Sequence, residues 1–278
     1  MINVLCVLLL QSLSGLCLKG VDLGLAWVNW PFSRSWTCEW LTALGLHDCS
    51  LDVFHNVRPR GHGRRLRWLI RLLASLPNLI ALDLGDNYLA DNLGVILNTV
   101  GRPLERLRLA CCDFTDTDID SLASSRHMSS LRELDTENCT SGLHGDPQTM
   151  SRRLLRELRQ CSALRSLNFT NNSLTDACEL FAVLTSSSWP MLESLDVSLN
   201  PMAFTEVTQL VSAALVNCVH VSRLCLPVES ADSSHITALT DAVADAGRHD
   251  LVVKALPDNQ TVAIFDPSNT ELETAFFQ

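Results

Sequence analysis

The sequence predicts an α/β fold of stacked strand-and-helix repeats, and two observations carry that prediction. One is a frame of spaced residues, Leu79-x-x-Leu82-x-Leu84-x-x-Asn87-x-Leu89, which returns with starts at Leu13, Leu41, Leu104, Leu131, Leu164, Leu192 and Val221. The other is the step between copies, 28, 38, 25, 27, 33, 28 and 29 residues, which leaves room after each frame for a helix of about two to three turns. Side chains two apart on a strand share a face, so Leu82 and Leu84 point together into a core that Leu79 and Leu89 close on either side.

Repeats of this frame and length are leucine-rich repeats of the long kind. One repeat cannot bury its own leucines, so only a stack has a core. Strands spaced about 4.8 Å apart must share that core with helices about 10 Å wide. The mismatch predicts a leucine-rich-repeat solenoid bent into a horseshoe, with a parallel sheet on the concave side and helices on the convex side. The ninth position of the frame reads Val21, Cys49, Asn87, Cys112, Cys139, Asn172, Asn200 and Glu229. The inner six copies carry Asn or Cys, groups able to satisfy backbone left unpaired at the turn. The outermost two are degenerate, as terminal repeats are.

From the N-terminus, residues 1–18 imitate a signal peptide, with an apolar run from Val4 to Leu10. They lack a basic start and a clear cleavage site, and Leu13, Leu16 and Leu18 already belong to the first frame, which predicts a buried strand or helix. The run is too short for a good membrane span. Trp27, Trp30, Trp36 and Trp40 surround Pro31 and predict an irregular, packed aromatic segment. The longest interval holds a basic loop, Arg58 to Arg65, read as a solvated lead into a helix over Leu66 to Leu73.

Asp116-Thr-Asp-Ile-Asp120 imitates a calcium loop, but no glycine or closing acid stands where such a loop needs it. Acids at the start of a helix through Ile119 and Leu122 complement the helix dipole instead. Gly142, Gly145 and Pro147 predict a loop before a basic amphipathic helix, Arg152 to Arg159. Further helices are predicted near Ala177 to Leu184 and Glu206 to Val216. The frames fill a single repeat domain over 1–250, and 251–278 is predicted to cap the last leucines.

Composition narrows the function. The chain has 278 residues, 47% of them hydrophobic, with no break that marks another domain, and its net charge of -10 disfavours general nucleic-acid binding. Eleven cysteines spread along the chain, an odd number without a Cys-x-x-Cys pair, predict reduced thiols and a cytoplasmic or nuclear location. Sequons at Asn138, Asn168, Asn171 and Asn259 speak for the secreted route, but three fall in repeat strands or turns and are read as chance. His47 with Cys49, and Cys111 with Cys112, lack the paired spacing of a zinc site. No Gly-rich phosphate loop or nucleophile elbow is present, so no enzyme, metal or cofactor is expected.

The concave sheet is then the candidate binding surface. Its outward positions are Ala43 and Gly45, Ala81 and Asp83, Arg106 and Arg108, Glu133, Asp135 and Glu137, Ser166 and Asn168, and Ser194 and Asp196. Asp83, Arg108 and Asp135 are expected as neighbours in a cross-strand charge row. Glu133, Asp135 and Glu137 are read either as part of that self-neutralising row or as an acidic patch for a basic helix or tail.

Pro103-Leu-Glu-Arg-Leu-Arg-Leu-Ala-Cys-Cys112, Asp118-Ile-Asp-Ser-Leu-Ala123 and Leu131-Arg-Glu-Leu-Asp135 resemble the repeats of the family that joins PRAME with leucine-rich-repeat-containing protein 14. Cys161 to Ser173, Leu226-Pro-Val-Glu-Ser230, Ala246-Gly-Arg248 and Val262-Ala-Ile-Phe-Asp-Pro267 follow that family's order. The resemblance runs from Leu79 to Pro267, while family members are much longer at the N-terminus and many carry a late cysteine cluster that is absent here. It implies a substrate receptor that joins cullin-2 ubiquitin ligases through elongin, or a repressor of transcription or NF-κB signalling. Ser12-Leu-x-x-x-Cys17-x-x-x-Val21 matches the family's elongin box, yet the same residues are the first frame's strand. The leading expectation is a non-enzymatic, monomeric protein-recognition scaffold without nucleic-acid or membrane partners. An enzyme-capping inhibitor and a secreted or membrane-tethered ectodomain are the alternatives.

Overall fold

The computed structural model describes residues 13–21, 37–51, 62–140 and 145–268. They fall into two compact units that divide between Leu131 and Arg132. The first contains β1 (Gly15–Lys19), β2 (Ala43–His47), α1 (His62–Ala74), β3 (Ala81–Asp83), α2 (Leu93–Thr99), β4 (Arg106–Arg108) and α3 (Asp116–Ala123). The second contains β5 (Glu133–Asp135), α4 (Pro147–Leu158), β6 (Ser166–Asn168), α5 (Cys178–Thr185), β7 (Ser194–Asp196), α6 (Phe204–Asn217), β8 (Arg223–Pro227), α7 (Ser233–Asp245), β9 (Val252–Ala255) and β10 (Thr261–Phe265).

All eight frames carry a strand at their third to fifth positions, and within each unit consecutive frames pair in parallel. Leu44 stands opposite Leu82 and Leu82 opposite Leu107 in the first unit. Leu134, Leu167, Leu195 and Leu224 line up in the second. Within each unit this register puts a row of leucines at the same depth, each no more than 2% exposed. Burying such a side chain contributes about 1.5–3 kcal/mol. Consecutive helices pack against one another within each unit, as the repeat requires. β10 then runs antiparallel to β8, and β9 lies antiparallel outside it.

The ninth frame position does what its chemistry allows. Asn87 Oδ1 accepts from the N–H groups of Cys49 and Leu51, while its Nδ2 donates to the carbonyls of Leu46, Leu84 and Gly85. Asn172 and Asn200 repeat the pattern toward the preceding frame. Where cysteine replaces asparagine, only the donor half survives: Cys112 Sγ reaches Leu84 O at 3.2 Å and Cys49 Sγ reaches Leu18 O at 3.4 Å.

The residue before it, at the eighth position, is left-handed in seven frames. Gly20, Asp48, Asp86, Cys111, Asn138, Asn171 and Leu199 have φ between 50° and 67°. Glycine takes that conformation freely and Asn or Asp tolerates it, whereas a leucine there costs about 1–2 kcal/mol.

Several expectations need amendment. The first frame is a strand, as its leucines suggest, but Leu16 and Leu18 are only half-buried and Leu13 is 38% exposed. Trp40 is 67% exposed rather than packed, while Trp27, Trp30, Trp36 and, of the loop from Arg58 to Arg65, residues 58–61 lie outside the described residues. The helix after that loop runs longer than expected, and Arg65 within it donates to Ser50 O at 2.8 Å.

Candidate functional site

The second unit builds an accessible strand face. In β5, β6 and β7 the middle leucine is buried and both flanking residues are half-buried, which is what alternation on a sheet with one open face produces. Its positions are Glu133, Asp135 and Glu137, then Ser166 and Asn168, then Ser194 and Asp196, then Arg223, while Thr170 and Ser198 beyond the strand ends are buried. Glu133 stands opposite Ser166 and Ser166 opposite Ser194, with Arg223 next. Among these residues four carboxylates stand against one guanidinium.

Hydrogen bonds run across the face as a continuous row. Asn168 Nδ2 donates to Glu137 Oε2 at 3.3 Å, and Thr170 Oγ1 donates to Asp196 Oδ1 at 2.9 Å. Ser198 Oγ also donates to Asp196 Oδ1, at 2.6 Å. Toward the start of the strands, Arg165 and Glu193 form an ion pair at 2.5 Å.

Four of the residues singled out from the sequence share a task that the sequence reading missed. Asp83, Asp135, Asn168 and Asp196 occupy the fifth frame position, and the Oδ1 of each accepts from the N–H two residues on, at 2.8–3.0 Å. Each closes an Asx turn that ends its strand. The signal was present: Asp or Asn recurs at that position in four of eight frames.

In the first unit β4 repeats this burial pattern and β3 does not. Asp83, expected on the open face, is 3% exposed, and Ala81 is fully buried. Asp83 does stand opposite Arg108, as the expected charge row requires, and Arg106 stands opposite Ala81. Asp135 lies in the other unit, opposite Asn168. His47 fills the space beside Asp83, with Nε2 on Asp86 Oδ2 at 2.7 Å and Nδ1 3.8 Å from Asp83 Oδ1. Gly85 makes room for this ring, since a Cβ there would lie 2.7 Å from His47 Nδ1.

The basic helix α4 offers less free charge than its sequence suggests. Arg152 pairs with Asp176, and Arg156 and Arg159 both pair with Glu179 on α5, at 2.6 and 2.9 Å. Thiol chemistry is muted as well. Burial pushes Cys225 up to about 11 and Cys161 up to about 12, so both stay protonated and poorly nucleophilic at neutral pH. Among the described residues, no helix is long and apolar enough to cross a membrane.

Eight frames, a leucine row in parallel register and an asparagine at the turn define a leucine-rich-repeat protein. The chain is similar to leucine-rich repeat-containing protein 14 of Mus musculus, 28% identical over 216 residues that make up 76% of this chain and 42% of that protein. It is likewise similar to the protein of that name from Rattus norvegicus, at 27% over the same span, and from Xenopus laevis, at 28% over 197 residues. These matches bear out the resemblance read from the sequence. The chain spans about 42% of the length of the first two of these relatives. No family model matches the chain.

Proposed function

We propose that the protein is a non-catalytic recognition scaffold that captures a basic protein segment on the strand face of the second unit. The observation that carries this reading is the burial pattern of β5, β6 and β7, where every leucine is spent on the core and every flanking position stays accessible. Four carboxylates on that face, in a chain of net charge -10, favour a cationic partner and speed its approach.

The test must remove charge without removing the Asx turns. Asp135→Asn, Glu137→Gln and Asp196→Asn together keep an acceptor oxygen at each site. The variant is expected to keep its circular dichroism spectrum and melting temperature, but to bind a fluorescein-labelled arginine-rich peptide about tenfold more weakly and with a shallower salt dependence. Unchanged affinity would reject the reading.

The role implied by the resemblance, substrate recognition for a cullin-2 ubiquitin ligase or negative regulation of transcription or NF-κB signalling, extends this proposal. Its support is the similarity to leucine-rich repeat-containing protein 14. Residues 15–19 of the elongin-box match are a strand paired with β2, which counts against that segment as an elongin contact. Co-purification of elongin with the chain is the expected result if the adaptor role holds, and its absence counts against that role while leaving peptide capture standing. A cytoplasmic or nuclear location fits with Cys49, Cys112, Cys218 and Cys225, which are buried as thiols.

A further inference from the structure

The eighth frame position explains itself six times and fails once. Gly20, Asp48, Asp86, Cys111, Asn138 and Asn171 are small or short polar residues in left-handed turns, whereas Leu199 is a long aliphatic with φ of 56°. In the second unit the neighbouring turns are joined through their amides, since Asn171 Nδ2 donates to Asn138 Oδ1 at 3.3 Å. A leucine cannot extend that row. Nor does Leu199 serve the core, because it is 48% exposed. Its side chain thus suits neither its backbone conformation nor its exposure, and strain of this kind collects where a residue is kept for an external contact.

Its place in the fold indicates what that contact is. Leu199 follows Ser198, whose Oγ reaches Asp196 and whose carbonyl accepts from Asn171 N at 3.1 Å. The turn thus continues the strand end at which Asp196 stands, with Glu137 two repeats away across β6. An exposed aliphatic residue three positions along the chain from Asp196 matches a partner that alternates cationic and aliphatic side chains.

We propose that Leu199 is the apolar anchor of the recognition surface, and that the segment captured there is extended, basic and carries an aliphatic residue that packs on Leu199. This rests on the reading of the acidic face given above. Cations set the approach and the strength of attraction, while the leucine sets which basic segment is held.

Two fluorescein-labelled peptides test it, Arg-Lys-Leu-Arg-Lys and Arg-Lys-Gly-Arg-Lys, measured by anisotropy against the full chain. The chain is expected to prefer the leucine peptide by about tenfold. Leu199→Asn is expected to abolish the preference while the melting temperature rises by about 2–4 °C, because asparagine suits the turn better. Leu199→Met is expected to retain the preference. Equal binding of both peptides by the parent chain, or a preference that survives in Leu199→Asn, overturns the anchor and leaves the acidic face intact. Failure of both peptides to bind overturns the two readings together.

Discussion

His127 shows how much one buried side chain settles. Its Nδ1 accepts from Leu104 N at 2.9 Å and its Nε2 lies 2.9 Å from Leu97 O, so the ring is neutral with its proton on Nε2. It joins the end of α2 to the start of the next frame. Burial holds its pKa below the ordinary value of 6.5, and the neighbouring Arg126 pushes the same way, against the pull of Leu97 O. The unfolded ring therefore takes up a proton first as the pH falls. The stability this group contributes is whole above pH 6.5 and is lost as the pH drops from there through the folded value. The denaturant midpoint of the parent chain is expected to fall across that window. His127→Gln, which keeps one donor and one acceptor, is expected to fall less, and equal slopes would refute the assignment. The same discipline of donors and acceptors separates Asn87 from Cys112. The amide serves both kinds of backbone group, while the thiol serves only carbonyls.

At the scale of the element, Asp118 binds two repeats together. Its carboxylate accepts from Thr115 N at 3.1 Å to complete the capping box of α3, and from Asp91 N and Leu93 N at 2.9 and 3.1 Å at the start of α2. Asp118→Ala leaves several donors unpaired in a site 1% exposed and is expected to cost about 2–4 kcal/mol. Urea melts of single variants check this, and the neighbouring exposed Thr117→Ala is expected to cost under about 0.5 kcal/mol. The acidic start of α3 was legible in the sequence, but its reach into the preceding repeat was not, because a cap across 27 residues leaves no local pattern. The eight strands were legible because period-two leucines admit one register. α2 was overlooked although its stripe was present, with Leu93, Ile96 and Leu97 buried at i, i+3 and i+4. α7 was overlooked although its signals were present, with Asp232 as N-cap and Gly247 just past the end at φ 70°. On the candidate face the charges were legible from alternation. Their Asx turns were overlooked although Asp or Asn recurs at the fifth position, and the burial of Asp83 goes with His47 of the preceding frame, which no single frame displays.

For the whole molecule, the repeated frame separates two duties. Leucines, asparagines and thiols make an interior that differs little from copy to copy, and the positions between them are free to vary. Those variable positions hold the acidic face from Glu133 to Ser198 and the leucine in a turn built for asparagine. On the proposed function, that face is where a partner sits. The direct measurement is hydrogen–deuterium exchange of the full chain with and without the arginine-rich peptide. Slowed exchange in residues 133–138, 166–171 and 194–200, with the helices α4, α5 and α6 unaffected, is the predicted result. Slowed exchange confined to those helices or to the first unit would contradict it.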